Sequence, residues 1–193
     1  MTGTSEPTGQ CRQHWLSYVD RLDPRDMACV NLVVIHCTEL PDLATARDYG
    51  EVIHYPGSET GNSGHFYVDR DGSCEQWTPL DRVAHHVRGH NARSVGIEMV
   101  NRGRYPDWLD TRRQNDYEAY PEAQITGLLG LLTALQRTLP ALTTIAGHDQ
   151  LDLERVPASN QPDQTVRRKL DPGPTFPWER VLSTSGLQRW QDP

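Results

Sequence analysis

Two of the chain's eight histidines stand apart by position. His36 directly follows the apolar run Val33-Val34-Ile35, and His148 follows Thr143-Thr144-Ile145-Ala146-Gly147. Each sits at the end of a predicted strand, where backbone pairing fixes a side chain while the adjoining loop leaves it reachable. Two imidazoles and one carboxylate are a recurrent ligand set for catalytic zinc, with a fourth position left to water. Asp171, in the rigid turn Asp171-Pro172-Gly173-Pro174, is the candidate third ligand. Of 19 basic residues all but one are arginine, and the exception, Lys169, lies two residues before Asp171. A compact ammonium there could stabilise the oxyanion formed when water attacks an amide carbonyl, a role that the planar guanidinium fork fills poorly. Glu98 completes the set. In the strand Ser94–Val100, Val95, Ile97 and Met99 share one side while Gly96 and Glu98 share the other. A carboxylate inside such a strand is either paired with a basic group or poised for proton transfer. Beside zinc-activated water it would accept a proton and pass it to the leaving amine.

The elements that must position these residues follow from periodicity. A chain of 193 residues predicts one domain with its own core. Hydrophobic residues make up 36% of it, which points to long loops around a modest core. Trp15, Tyr18, Val19 and Leu22 at helical spacing predict a helix over 11–22, ended by Asp23-Pro24. The β-branched run 29–35 predicts a buried central strand. A short helix is expected over 43–54, and a loop over 55–64. Asp71-Gly72 between 65–70 and 73–77 is the strongest hairpin signal in the chain. Pro121 opens a helix to about residue 138, with Ile125, Leu128, Leu129, Leu132 and Leu135 on one face. A short strand at 143–146 and a closing helix at 176–182 follow. Residues 101–120 and 149–168 read as long excursions or loops, the second a polar loop of unusual length. The expected architecture is α/β (α+β in some schemes): a single domain with a mixed central β-sheet flanked by helices. The expected divisions are a disordered N-terminal tail at 1–10, the domain at 11–185 and a C-terminal tail at 186–193.

Together these residues resemble the type-2 N-acetylmuramoyl-L-alanine amidases. The resemblance rests on Val33-Val-Ile-His-Cys-Thr38, His65-Phe-Tyr-Val-Asp-Arg-Asp-Gly72, Ser94-Val-Gly-Ile-Glu98, Gly147-His148 and Arg168-Lys-Leu-Asp-Pro-Gly-Pro174, in that order. It covers about residues 30–182, is nearest to the AmpD/AmiD branch, and extends more distantly to T7-type lysozyme and peptidoglycan-recognition proteins. The resemblance implies the amidase-2/peptidoglycan-recognition-protein-like fold and one zinc per chain, held by His36, His148 and Asp171, with no other cofactor. It implies Glu98 as general base and Lys169 as the group that stabilises the tetrahedral intermediate. The implied reaction cleaves the amide between the lactyl group of N-acetylmuramic acid and L-alanine of the stem peptide. Some positions depart from the pattern. Gly64 stands where the lysozyme branch has a tyrosine, and His85 replaces an aromatic residue of the AmpD cleft, while His86 matches the motif. The intervals 101–120 and 149–168 look like insertions.

His86, Arg88, Asn91 and Arg93 are candidates for substrate contact. The bland alternative for the arginines, with Arg102, is solvated surface charge. Competing readings are a lytic amidase acting on polymeric peptidoglycan, a non-catalytic peptidoglycan-binding module, and another zinc amide hydrolase such as a deacetylase. The formal charge of −7 argues against a nucleic-acid partner. No apolar run approaches the ~20 residues that span a bilayer, and nothing indicates a protein partner. Residues 1–10 lack the basic start and apolar stretch of a signal peptide. Cys11, Cys29, Cys37 and Cys74 show no C-x-x-C spacing and are read as buried free thiols of a reducing compartment. The expected location is therefore the cytoplasm, and the expected substrate a soluble 1,6-anhydro-muropeptide of cell-wall recycling. A leader-independent export route would leave no mark on such a sequence.

Overall fold

The computed structural model of the chain describes residues 11–191, so the tail expected at 1–10 lies outside the described residues. In chain order the elements are strands β1 (Cys11–Gln13) and β2 (Leu32–Cys37), helix α1 (Leu43–Gly50), strands β3 (Ile53–Tyr55), β4 (Thr60–Gly61), β5 (Phe66–Val68), β6 (Cys74–Gln76) and β7 (Ser94–Met99), helix α2 (Glu122–Thr138), strand β8 (Thr144–Gly147), helix α3 (His148–Leu151), strands β9 (Arg155–Pro157) and β10 (Thr165–Arg167), helix α4 (Trp178–Ser185) and strand β11 (Gln188–Arg189). Seven strands form one mixed sheet in the order β1-β6-β5-β7-β2-β8-β11. The run from β5 through β7, β2 and β8 to β11 is parallel, while β6 is antiparallel to β5.

Strand β2 is buried at all six positions because it is paired on both sides and covered on both faces, which explains its unbroken apolar run. On one face α2 lays Ile125, Leu128, Leu132 and Leu135 against Val33, Ile35, Val95 and Ile97. Each such side chain stabilises the fold by roughly 1.5–3 kcal/mol when fully buried. The Gln124 amide fastens the helix to the sheet by donating to the carbonyls of Val68 (2.9 Å) and Val100 (3.0 Å). The opposite face is covered at Leu32 and Val34 by Val87, and at its carboxyl end His36 and Glu98 line a cleft.

Four expectations need correction. The helix over 11–22 does not form. Cys11–Gln13 instead pairs in parallel with β6, and only Val19–Arg21 makes a turn of 3₁₀ helix. Leu16, Tyr18 and Leu22 pack with Trp77 while Trp15 stays 37% exposed, so edge-strand pairing and this cluster override the local periodicity. Cys11 and Cys74 are not free thiols: the β1–β6 register makes them neighbours, with Cα atoms 4.6 Å apart, and they form a disulfide. Cys37 is free and buried, whereas Cys29 is free but exposed. The supposed polar loop at 149–168 contains α3 and an antiparallel ribbon of β9 and β10, centred on Val156 opposite Val166. Residues 188–189, expected in a C-terminal tail, pair with β8 and extend the sheet.

Candidate metal and catalytic site

Strand register assembles the site. In the parallel β2–β7 pair His36 stands opposite Glu98, and in the β2–β8 pair Ile35 stands opposite Gly147, so His148 emerges beside His36. All three therefore lie at the carboxyl ends of adjacent parallel strands, where open sheets of this kind form binding crevices. Asp171 arrives from the loop before α4. Its backbone carbonyl accepts from the Asp149 amide (2.9 Å), and the next carbonyl, of Pro172, accepts from the Tyr120 hydroxyl (2.6 Å).

His36 Nδ1, His148 Nδ1 and Asp171 Oδ2 are mutually 3.0 Å apart, and all three residues are buried. Ligands at ~2.0 Å from one tetrahedral ion would stand about 3.3 Å from each other, so this triangle is close to the edge lengths zinc requires. The second carboxylate oxygen, Asp171 Oδ1, is buried with no hydrogen-bond partner. Burial, and then the proximity of His148, lowers the His36 pKa to about 4, which leaves its imidazole neutral with a lone pair to give. Burial alone would raise Asp171, but His148, His36 and Lys169 hold its carboxyl well below the ordinary range. A neutral nitrogen donor and an anionic oxygen donor beside it fit a divalent cation.

Glu98 Oε1 lies 3.9 Å from His36 Nδ1. Burial first, and then Asp171 nearby, pushes the Glu98 pKa up to about 8, against the lowering effect of Lys169. A carboxyl so placed can exchange a proton near neutral pH. Gly64 explains how Glu98 fits, because a Cβ at position 64 would stand 2.8 Å from Glu98 Cγ. Glycine there makes room for the carboxylate. Lys169 lines the same open cleft, of about 670 Å³, as His36, Glu98 and Asp171.

The excursion at 101–120 supports this segment. Arg104, wholly buried, makes a two-pronged ion pair with Glu39 (2.6 and 2.8 Å) and donates to the carbonyls of Arg167 and Arg168, both 3.2 Å. It thereby links the loop after β2 to the residues just before Lys169. Tyr117 packs on Gly173, where a Cβ would approach its ring to 2.4 Å. Arg104, Tyr117 and Tyr120 were missed from sequence because their contacts span more than fifty residues and carry no motif.

The candidate substrate residues divide. Arg88 is at the mouth of the cleft, 72% exposed in its side chain and paired with Glu154 at 3.0 Å. His86 and Asn91 also line the cleft. Asn91 has a further task, since its Oδ1 accepts from the amides of His86 (3.1 Å) and Val87 (2.7 Å) and shapes the turn. Arg93 is not among the residues lining the cleft: it donates to Asn31 at 2.9 Å and stacks on Trp190. Tyr55 and His85 both line the cleft, edge to face with centroids 4.8 Å apart.

The chain and its fold belong to a known family. Residues 25–174 match the N-acetylmuramoyl-L-alanine amidase family (Amidase_2), and the chain is a member of that family. It is 30% identical over 134 residues to the 1,6-anhydro-N-acetylmuramyl-L-alanine amidase AmpD of Salmonella typhimurium, covering 65% of this chain and 58% of that one. It is 33% identical over 85 residues to an endolysin of Enterobacteria phage K11, covering 44% of this chain and 52% of the other. The chain thus spans between half and three fifths of these two relatives. Among solved structures, a selenomethionine AmpD derivative superposes with a TM-score of 0.63 at 25% identity, covering 91% of this chain and 94% of that one.

Proposed function

We propose that the chain is a zinc-dependent N-acetylmuramoyl-L-alanine amidase that hydrolyses the amide between the lactyl group of N-acetylmuramic acid and L-alanine of the stem peptide. The observation that carries this reading is the convergence of His36, His148 and Asp171 beside Glu98 in an open cleft. Those three side chains would hold the metal. Bound there, zinc would supply Lewis-acid polarisation of the scissile carbonyl and acidify the attacking water. Glu98 accepts the proton of that water and returns it to the nitrogen of the departing alanine. Lys169 presents an ammonium to the oxygen on which negative charge develops. Retention of both Glu98 and Lys169 favours a hydrolase over a binding module, and the family match favours this amide over that of a deacetylase.

The AmpD relative is named as a 1,6-anhydro-N-acetylmuramyl-L-alanine amidase, which favours a 1,6-anhydro-muropeptide as substrate; action on a soluble one would place the chain in cell-wall recycling in the cytoplasm. The Cys11–Cys74 disulfide supports a second reading, action on polymeric peptidoglycan outside the reducing cytosol, because structural disulfides persist chiefly in oxidising compartments. No helix among the described residues is long and apolar enough to cross a membrane. Mass spectrometry of products from purified anhydro-muropeptide and from intact sacculi tests both. Release of the stem peptide from the lactyl group, abolished in Asp171→Ala with the circular dichroism unchanged, is expected. Products cleaved at any other bond would overturn the proposal.

A further inference from the structure

Ser94 and Gly96 belong to a motif singled out from sequence, yet the chemistry above uses only its last member, Glu98. Alternate residues of a strand share a face, so 94, 96 and 98 all point to the side of the sheet that carries the cleft. Between them and His36 lies His86. Its Nδ1 is 2.9 Å from His36 Nε2, and its Nε2 is 3.1 Å from Ser94 Oγ. Ser94 Oγ in turn lies 2.8 Å from the backbone carbonyl of His90. Gly96 is the bed for this ring: a Cβ there would approach His86 Cγ and Nδ1 to 2.7 Å.

We propose that His86 and Ser94 are positioning residues that set the tautomer of His36 and aim its bare Nδ1 at the metal. The direction of the chain is dictated by its far end. A carbonyl only accepts, so the Ser94 hydroxyl donates to His90 and its oxygen accepts from His86 Nε2–H. His86 Nδ1 is then bare and accepts from His36 Nε2–H. His36 Nδ1 is left with its lone pair facing His148 and Asp171. The carboxylate of Asp171 pulls the other way, since it would attract a proton onto His36 Nδ1 at 3.0 Å. In the metal-free protein that demand is met by His148, whose Nδ1 is equally near the same oxygen and which gives up that proton when a metal binds. A ligating histidine ordinarily fixes its second nitrogen on a carboxylate, carbonyl or water, and loss of such a partner costs 10- to 100-fold in metal affinity. Here a second histidine and a serine carry that function to a carbonyl three hydrogen bonds away.

The inference rests on the metal reading for its consequence but not for its measurement. Long-range ¹H–¹⁵N spectra of the metal-free protein read the His36 tautomer directly, and zinc affinity is measured separately by competition with a chromogenic chelator. The metal-free parent is expected to carry the His36 proton on Nε2, and His86→Leu to move it to Nδ1 and weaken zinc binding about 10- to 100-fold. His86→Asn, whose side-chain oxygen can replace Nδ1 as acceptor, is expected to restore both. A parent with the proton on Nδ1 would overturn the relay, as would His86→Leu binding zinc as tightly as the parent. A parent that binds no zinc yet holds the proton on Nε2 would remove the metal reading and leave the relay standing.

Discussion

Gly64, two residues before β5, faces Glu98 of β7, and the Glu98 side chain occupies the space that a Cβ at position 64 would need. A methyl group at position 64 would stand 2.8 Å from Glu98 Cγ and 3.1 Å from the Gly96 carbonyl. Gly64→Ala should therefore displace the carboxylate and cost roughly 1–3 kcal/mol of overpacking. Turnover on a muropeptide is expected to fall more than about tenfold, because a misplaced base transfers protons poorly. Unchanged turnover, with thermal unfolding also unchanged, would mean that Glu98 does not need this room.

Glu98 should also leave a mark on stability in the metal-free protein. Its pKa is raised from 4.5 to about 8 in the folded chain. Across that window the folded state holds a proton that the unfolded state has lost, so stability falls as pH rises, by at most about 1.4 kcal/mol per pH unit. The contribution is complete below 4.5 and gone above about 8. His36, lowered to about 4, acts in the opposite sense up to its ordinary value of 6.5. The interval from 6.5 to 8 thus isolates Glu98. Urea denaturation in chelator should show the parent losing stability there relative to Glu98→Gln. With saturating zinc the difference should vanish, since a nearby cation favours the carboxylate.

Arg104 offers a test of the strut. Arg104→Met leaves Glu39 buried without its partner, and breaking a buried pair in this way costs about 3–5 kcal/mol. The double variant with Glu39→Gln should recover a good part of the loss in chemical denaturation. A single variant as stable as the parent would show that the pair does not hold the two loops together.

The disulfide closes a loop of 63 residues, for which the chain-entropy account gives about 4 kcal/mol. Cys74→Ser should lower stability by an amount of that order. Activity should persist, because β1 lies four strands away from β2 in the sheet. Equal stability of parent and variant would contradict the entropic account.

How far the sequence could be read depended on whether the deciding contact was local. The strands bearing His36, Glu98 and His148 were legible because β-branched runs and alternation report burial and facing directly. So was the leucine face of α2, except that Leu131 is fully buried where Leu129 is only partly so. Cys11–Gln13 was not legible as a strand, since its partner β6 lies 63 residues away and the helical spacing of Trp15 to Leu22 was the stronger local signal. The same distance hid the disulfide. Arg104 carried no motif, and the β9–β10 ribbon declares itself only when Val156 and Val166 meet. Arg93, just before the Glu98 strand in sequence, is directed by 3₁₀ geometry at Asn91–Arg93 to Asn31 and Trp190 rather than into the cleft.

Metal content tests the assignment of His36, His148 and Asp171 most directly. Inductively coupled plasma mass spectrometry of the purified chain after dialysis should find one zinc per chain in the parent and almost none in Asp171→Ala, with both folded. Full zinc occupancy in the Asp171→Ala protein would contradict the assignment of these three ligands, as would a metal-free parent that still cleaves muropeptides.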